Sequence, residues 1–146
     1  PGQLVGYPIF DVSKHGRDLH KFLRDIEQAI IDALRAFGVE AHREAGYTGV
    51  WVGNAKIAAI GIKVTKWVSM HGFALNVNND LRLFQTIVPC GIADRPVTSL
   101  QQVLGRAVSM ERVKHEIVRA FEQAFKIAFR YTSQDTEVEP CELSSL

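Results

Sequence analysis

The chain has 146 residues, 47% of them hydrophobic and 23% charged, with 17 basic and 16 acidic side chains giving a net charge of +1. These values fit one globular domain large enough to bury a substantial core. They give no electrostatic reason to expect nucleic acid or an anionic membrane as partner, and no apolar run approaches the ~20 residues that span a bilayer. The two cysteines, Cys90 and Cys141, do not make a disulfide framework, so free thiols in a reducing compartment are expected. The chain opens at Pro1-Gly2-Gln3 without a methionine or a signal-peptide pattern, which reads as a fragment or processed product with any targeting segment lying upstream.

In chain order, "LVGYPIF" (4–10) predicts a strand that Pro8 confines to a sheet edge or ends early. Residues 16–37 predict an amphipathic helix, because Leu19, Phe22, Leu23, Ile26, Ile30, Ala33, Leu34 and Phe37 recur three and four apart, with Gly38 as the stop. The period then falls to two. "GVWVG" (49–53), "KIAAIGIKVTKWV" (56–68) and "HGFALNVN" (71–78) predict an antiparallel meander. Gly53-Asn54-Ala55 supplies the first turn and a link around Ser69-Met70 the second. After the polar turn "NVNNDL" (76–81), "FQTIVPCGI" (84–92) reads as extended. Thr98 and Gln101 have capping-box spacing for a short helix ending at Gly105. Ser109 caps a last helix over 110–130, whose face is Val113, Ile117, Ala120, Phe121, Ala124, Phe125 and Ala128. Residues 132–146 are polar, acidic and aperiodic, and read as a disordered tail. The fold class is α+β, an antiparallel or mixed sheet with helices packed against it.

Several residues could carry chemistry. Cys90 stands between Pro89 and Gly91 at the end of a hydrophobic run. It is either a small packing residue at a strand end or a nucleophile held on stiff backbone with open access. Cys141 sits in the polar tail, where nothing holds a base beside it. Among the five histidines there is no metal-ligand spacing, and the two cysteines form no CxxC, so no metal site is expected. His15, His20 and His115 fall beside charged neighbours and read as solvated, whereas His71, at a strand start before Gly72, is either a turn residue or a functional one. Lys56 leads into the uncharged "IAAIG" and is either a solvated hairpin lysine or an amine whose desolvation makes it a base. Ala59, Gly61, Gly72 and Ala74 leave room for a second backbone in tight sheet packing, or for a slim acyl chain.

Taken in order, "PGQLVGYPIF", "YTGVWVGNAKIAAIGIKV", "MHGFALNVNNDL", "IVPCGI" and "VTSL" resemble the lipoyl (octanoyl) transferases, and the likeness runs from Pro1 to about Phe129. The resemblance implies the fold shared by biotin protein ligases and lipoate ligases. It implies transfer of an octanoyl group from octanoyl-acyl carrier protein to one lysine of a lipoyl domain, in 2-oxo acid dehydrogenases or the glycine cleavage H protein; the alternatives are an ATP-dependent lipoate or biotin ligase-like enzyme, or an inactive fragment that docks lipoyl domains. Cys90 would then form the acyl-thioester, and Lys56 would lower its pKa and move protons. Ala59, Ile60, Gly61, Gly72, Phe73 and Ala74 would contact the substrate, and no cofactor would be needed. The family pattern also has an upstream Arg-Gly-Gly stretch and a histidine just before Gly-Pro-Gly-Gln. Residues 1–131 therefore correspond to the C-terminal portion of the family's catalytic domain, with 132–146 as the tail. The implied location is the cytoplasm in a bacterium, or the mitochondrion or plastid in a eukaryote.

Overall fold

A computed structural model describes residues 2–82 and 95–130. Cys90 and the extended segment predicted over 84–92 lie outside the described residues, as do Cys141 and the predicted tail. The elements are β1 (Gln3–Gly6), a 3-10 turn (Val12–His15), α1 (Leu19–Arg35), β2 (Val50–Val52), β3 (Ala55–Thr65), β4 (Val68–Asn76), α2 (Leu100–Leu104) and α3 (Met110–Phe125). The strands form one antiparallel sheet in the order β1-β4-β3-β2.

The period-two pattern sorts the long hairpin into two faces. Register partners Ala58–Leu75 and Ile60–Phe73 turn toward the helices, and Ala59–Ala74 and Gly61–Gly72 turn the other way. On the helix side α1 contributes Phe22, Ile26, Ile30 and Leu34, and α3 contributes Val113, Ile117, Phe121 and Phe125, all buried. Phe73 joins the layers by stacking on Phe121, with ring centroids 5.6 Å apart. Among the described residues, the opposite face leaves Val5, Val68 and Met70 exposed.

Local chemistry sets the ends of the elements. β1 stops at Gly6, before Pro8, and lies at an edge of the sheet, in keeping with the proline. The chain then rejoins β4 through Ser69, whose buried hydroxyl donates to the Pro8 carbonyl at 2.7 Å and accepts from the Phe10 amide at 2.7 Å. Ser69 is therefore inside β4, not in a link. The β3–β4 turn is Lys66-Trp67, both at positive φ (49° and 66°). Two successive residues at positive φ are the geometry of the tight hairpin turn that Asn and Gly usually mark, so this turn carried no composition signal. α1 starts at Leu19, behind its cap Asp18, which accepts from the Lys21 amide at 2.9 Å; that is three residues later than the predicted start at 16.

Two further boundaries differ from expectation. Ser99, not Thr98, caps α2, accepting from the Gln102 amide at 3.2 Å. Thr98 is committed elsewhere: its amide donates to the Lys56 carbonyl at 2.9 Å and its carbonyl accepts from Asn76 Nδ2 at 3.1 Å. α3 is capped by Ser109 as expected but ends at Phe125, where Lys126 turns left-handed and its amide bonds back to the Glu122 carbonyl. His15, expected to be solvated, packs edge-on against Phe10 and Phe125, each at 5.5 Å.

Candidate active site

Lys56 sits where β3 begins, and three features hold it there. First, β3 carries an irregularity: Val50 pairs with Ala58 but Trp51 with Lys56, so one residue of β3 is extra. A bulge of this kind re-aims a side chain and is common beside active sites. Second, the segment after position 95 is laced onto Lys56. The Lys56 amide donates to the Pro96 carbonyl and its carbonyl accepts from the Thr98 amide, both at 2.9 Å, making a parallel bridge with Val97. Third, the side chain is half-buried and its Nζ lies 5.1 Å from the centre of the Trp51 ring. Burial pulls the Lys56 ammonium below the usual lysine range, because leaving water penalises the charged form.

Trp51 is the floor of this site. It is fully buried, and its Nε1 has no hydrogen-bond partner among the described residues. Arg95 lies over the same indole at 5.5 Å and over Tyr47 at 5.3 Å, and its charge is matched by Glu44 at 3.3 Å. The outer side of Trp51 is bonded to His42 through two backbone hydrogen bonds of 2.9 Å. Sequence reasoning singled out neither Trp51 nor Arg95. The signal available for Trp51 was an aromatic residue inside the short strand "GVWVG", opposite the only charge at the head of β3.

The small residues resolve into two situations. Ala59 with Ala74, and Gly61 with Gly72, are direct register partners on the sheet face away from the helices. Among the described residues, a Cβ built on Gly61 meets nothing within 4 Å, whereas one built on Gly72 would lie 1.8 Å from the Gly6 carbonyl oxygen. At Gly72 the missing side chain is used by another backbone, and at Gly61 it leaves open space. Ile60 and Phe73 turn to the opposite, helix-packed side, with Phe73 buried. His71 is exposed, at φ 63°, opposite Ile62. Ile62 is six residues beyond Lys56, a separation of about 20 Å along a strand. His71 therefore does not join the Lys56 cluster.

What these groups can do is narrow. A half-buried amine over an indole can take up and release a proton, and the flat surface of small residues further along β3 can lie against an apolar chain. Among the described residues no cluster of three or more His, Cys, Asp or Glu could hold a metal ion. Among the same residues, no helix is long and apolar enough to cross a membrane.

Comparison with known proteins shows the family and the fold. The family model for the lipoyl protein ligase A/B catalytic domain matches residues 1–122. A protein named octanoyltransferase from Gloeobacter violaceus is 56% identical over 127 residues, covering 87% of this chain and 56% of the relative. Its counterpart from Caldicellulosiruptor saccharolyticus is 48% identical over 137 residues, covering 92% and 58%. The chain thus spans a little over half the length of these curated relatives. Among solved structures, apo biotin protein ligase from Aquifex aeolicus aligns with a TM-score of 0.68 at 17% identity, over 86% of this chain and 53% of that one. Lipoate-protein ligase A bound with ATP aligns with a TM-score of 0.68 at 19% identity, over 89% and 53%. At such identities these two structures share the fold, and the family follows from the sequence match: the chain belongs to the lipoyl protein ligase A/B catalytic domain family.

Proposed function

We propose that the chain is the catalytic portion of an octanoyltransferase that moves an octanoyl group from octanoyl-acyl carrier protein to a lysine of a lipoyl domain. Acceptors would be the lipoyl domains of 2-oxo acid dehydrogenases and the glycine cleavage H protein. The observation that carries the reading is the desolvated Lys56 amine laced by backbone hydrogen bonds to Pro96 and Thr98. Pro96 follows Cys90 by six residues, so even a fully extended chain keeps Cys90 within about 20 Å of that anchor. The name shared by the curated relatives supports the same reading.

In this mechanism neutral Lys56 takes the proton of the Cys90 thiol, and the thiolate sulfur attacks the carbonyl carbon of the donor thioester. The carrier's thiolate leaves and takes the proton from Lys56. The neutral amine of the acceptor lysine then attacks the Cys90 thioester. As the carbon–sulfur bond breaks, Lys56 carries the amine proton to the departing Cys90 sulfur. The acyl group is a thioester before the exchange and a thioester after it, so acylation of Cys90 needs no ATP. Ala59, Gly61 and Ala74 form the wall for the octanoyl chain.

The test is the intact mass of the full chain after exposure to octanoyl-acyl carrier protein without ATP. The expected result is a gain of one octanoyl group that hydroxylamine removes and that Cys90→Ser lacks. Because the fold is also that of a ligase bound with ATP, free octanoate with ATP is run beside it. Transfer to a lipoyl domain only in that second reaction replaces the transferase reading with a ligase one.

A further inference from the structure

Glu27 lies in the middle of α1 with no exposure to solvent. A carboxylate in such a place needs partners. Its Oε2 accepts from Arg24 Nη1 at 2.7 Å and from Arg43 Nε at 3.1 Å, and its Oε1 accepts from the Gly49 amide at 3.1 Å. Arg43 widens the clamp, its Nη2 donating to the Arg24 carbonyl and to Gln28 Oε1, both at 2.9 Å. One helix thereby grips both ends of the 43–49 loop.

The far side of that loop touches Lys56. Gly49 has φ 129°, and a Cβ built there would lie 2.6 Å from the Ala58 carbonyl oxygen and 3.3 Å from Lys56 Cε. The Gly49 backbone therefore lies along the aliphatic stem of the lysine. We infer that Glu27 is a positioning residue for Lys56: by bonding the Gly49 amide it holds the 43–49 loop against the lysine stem and keeps the amine half-buried over Trp51. A buried ion pair adds little net stability over apolar groups of similar volume. What charge-assisted bonds from two arginines and an amide supply is direction. The inference rests on the proposed role of Lys56 as the proton carrier. Among the described residues, the other charged groups around the site are Arg95 over the same indole, Glu44 bonded to Arg95, and His42 at 3.7 Å from Glu44. Glu27 bonds to none of these, so it acts on the amine through the loop.

The test reads the Lys56 amine directly. The full chain is labelled with trace acetic anhydride across a pH series, and the acetylated peptides are quantified by mass. In Glu27→Gln the size is kept, but the amide cannot satisfy both arginines and the Gly49 amide. The expected result is a Lys56 labelling midpoint shifted upward, toward that of an ordinary lysine, with reactivity at neutral pH down several-fold. The exposed Lys63 and Lys66 should keep their midpoints, and so should Lys56 in Ile30→Val, which loosens the same helix without touching the clamp. If Glu27→Gln does not fold, Arg43→Lys is used, which keeps the charge but loses the fork; the shift should be smaller and in the same direction. An unmoved Lys56 midpoint in a folded clamp variant overturns the inference. A moved midpoint with octanoyl transfer at the parent rate upholds the positioning and refutes the catalytic reading of Lys56 instead.

Discussion

At the residue scale, Lys56 sets stability against the function proposed for it. Its folded-state pKa is depressed by desolvation, so between that value and the ordinary 10.5 the unfolded chain binds more protons than the folded one. Stability of the parent protein therefore rises with pH across that window. Lys56→Met keeps the apolar stem and removes the ammonium. It should melt higher than the parent at neutral pH, and the advantage should shrink as pH climbs toward 10.5; a gap that widens over that range would contradict the desolvation. The same variant should form the acyl-enzyme about 10²–10⁴-fold more slowly, the usual contribution of a general base. The rate should recover in part at higher pH, where Cys90 ionises unaided. The desolvation of Lys56 was legible in the sequence because a single charge leads into the uncharged "IAAIG". Trp51, Arg95, Gly49 and Glu27 were not, because each matters through a partner between 5 and 44 positions away in the chain.

At the scale of elements, the β3–β4 hairpin tests the two meanings of a small residue in a strand. Gly61 and Gly72 face each other across the hairpin, yet only Gly72 is occupied by the returning chain at Gly6 and Pro8. Gly72→Ala should push β1 away and destabilise the fold by roughly 1–3 kcal/mol or more, as overpacking does. Gly61→Ala meets no neighbour among the described residues, so its effect on stability should stay within about 1 kcal/mol, and a smaller unfolded-state entropy favours it. If the open face receives the acyl chain, Gly61→Ala should still slow octanoyl transfer and shift preference toward shorter acyl donors. Denaturant melts and a series of acyl lengths check both; equal destabilisation by the two substitutions would mean that the close approach at Gly72 is not what separates them. Strand identity and pairing order here were readable from the period of two. The turn at Lys66-Trp67 and the bulge beside Lys56 were not, since the first is set by the pairing of β3 with β4, the second by that of β3 with β2, and neither has a local composition signal.

At the scale of the whole molecule, the core closes through α3 and the few residues after it. Beyond Phe125 the chain turns at Lys126, Ile127 packs against the core, and the Phe129 amide donates to Glu122 Oε1 at 2.9 Å. The two amphipathic helices and their inward faces were legible because hydrophobic burial dictates a period of 3.6. The end of α3 was not, because a lysine at positive φ replaces the expected glycine signal. Charge is unevenly divided about this point. Residues 1–130 hold all 17 basic side chains and 12 of the 16 acidic ones, a balance of +5, and Asp135, Glu137, Glu139 and Glu142 account for the other four. A chain ending at Arg130 keeps every packed contact that the two helices make among the described residues and loses an aperiodic, acidic stretch whose composition cannot support a core. It should melt within about 1 °C of the parent, because a change below ~0.2 kcal/mol moves the midpoint no further in a domain of this size. It should also focus at a clearly higher pH, and it should acylate at the parent rate. A chain ending at Lys126 discards Ile127 and Phe129 as well and should melt several degrees lower. Equal melting of the two shortened chains would show that the core closes before Ile127, and slowed acylation in the chain ending at Arg130 would assign residues 131–146, with Cys141, a part in the reaction.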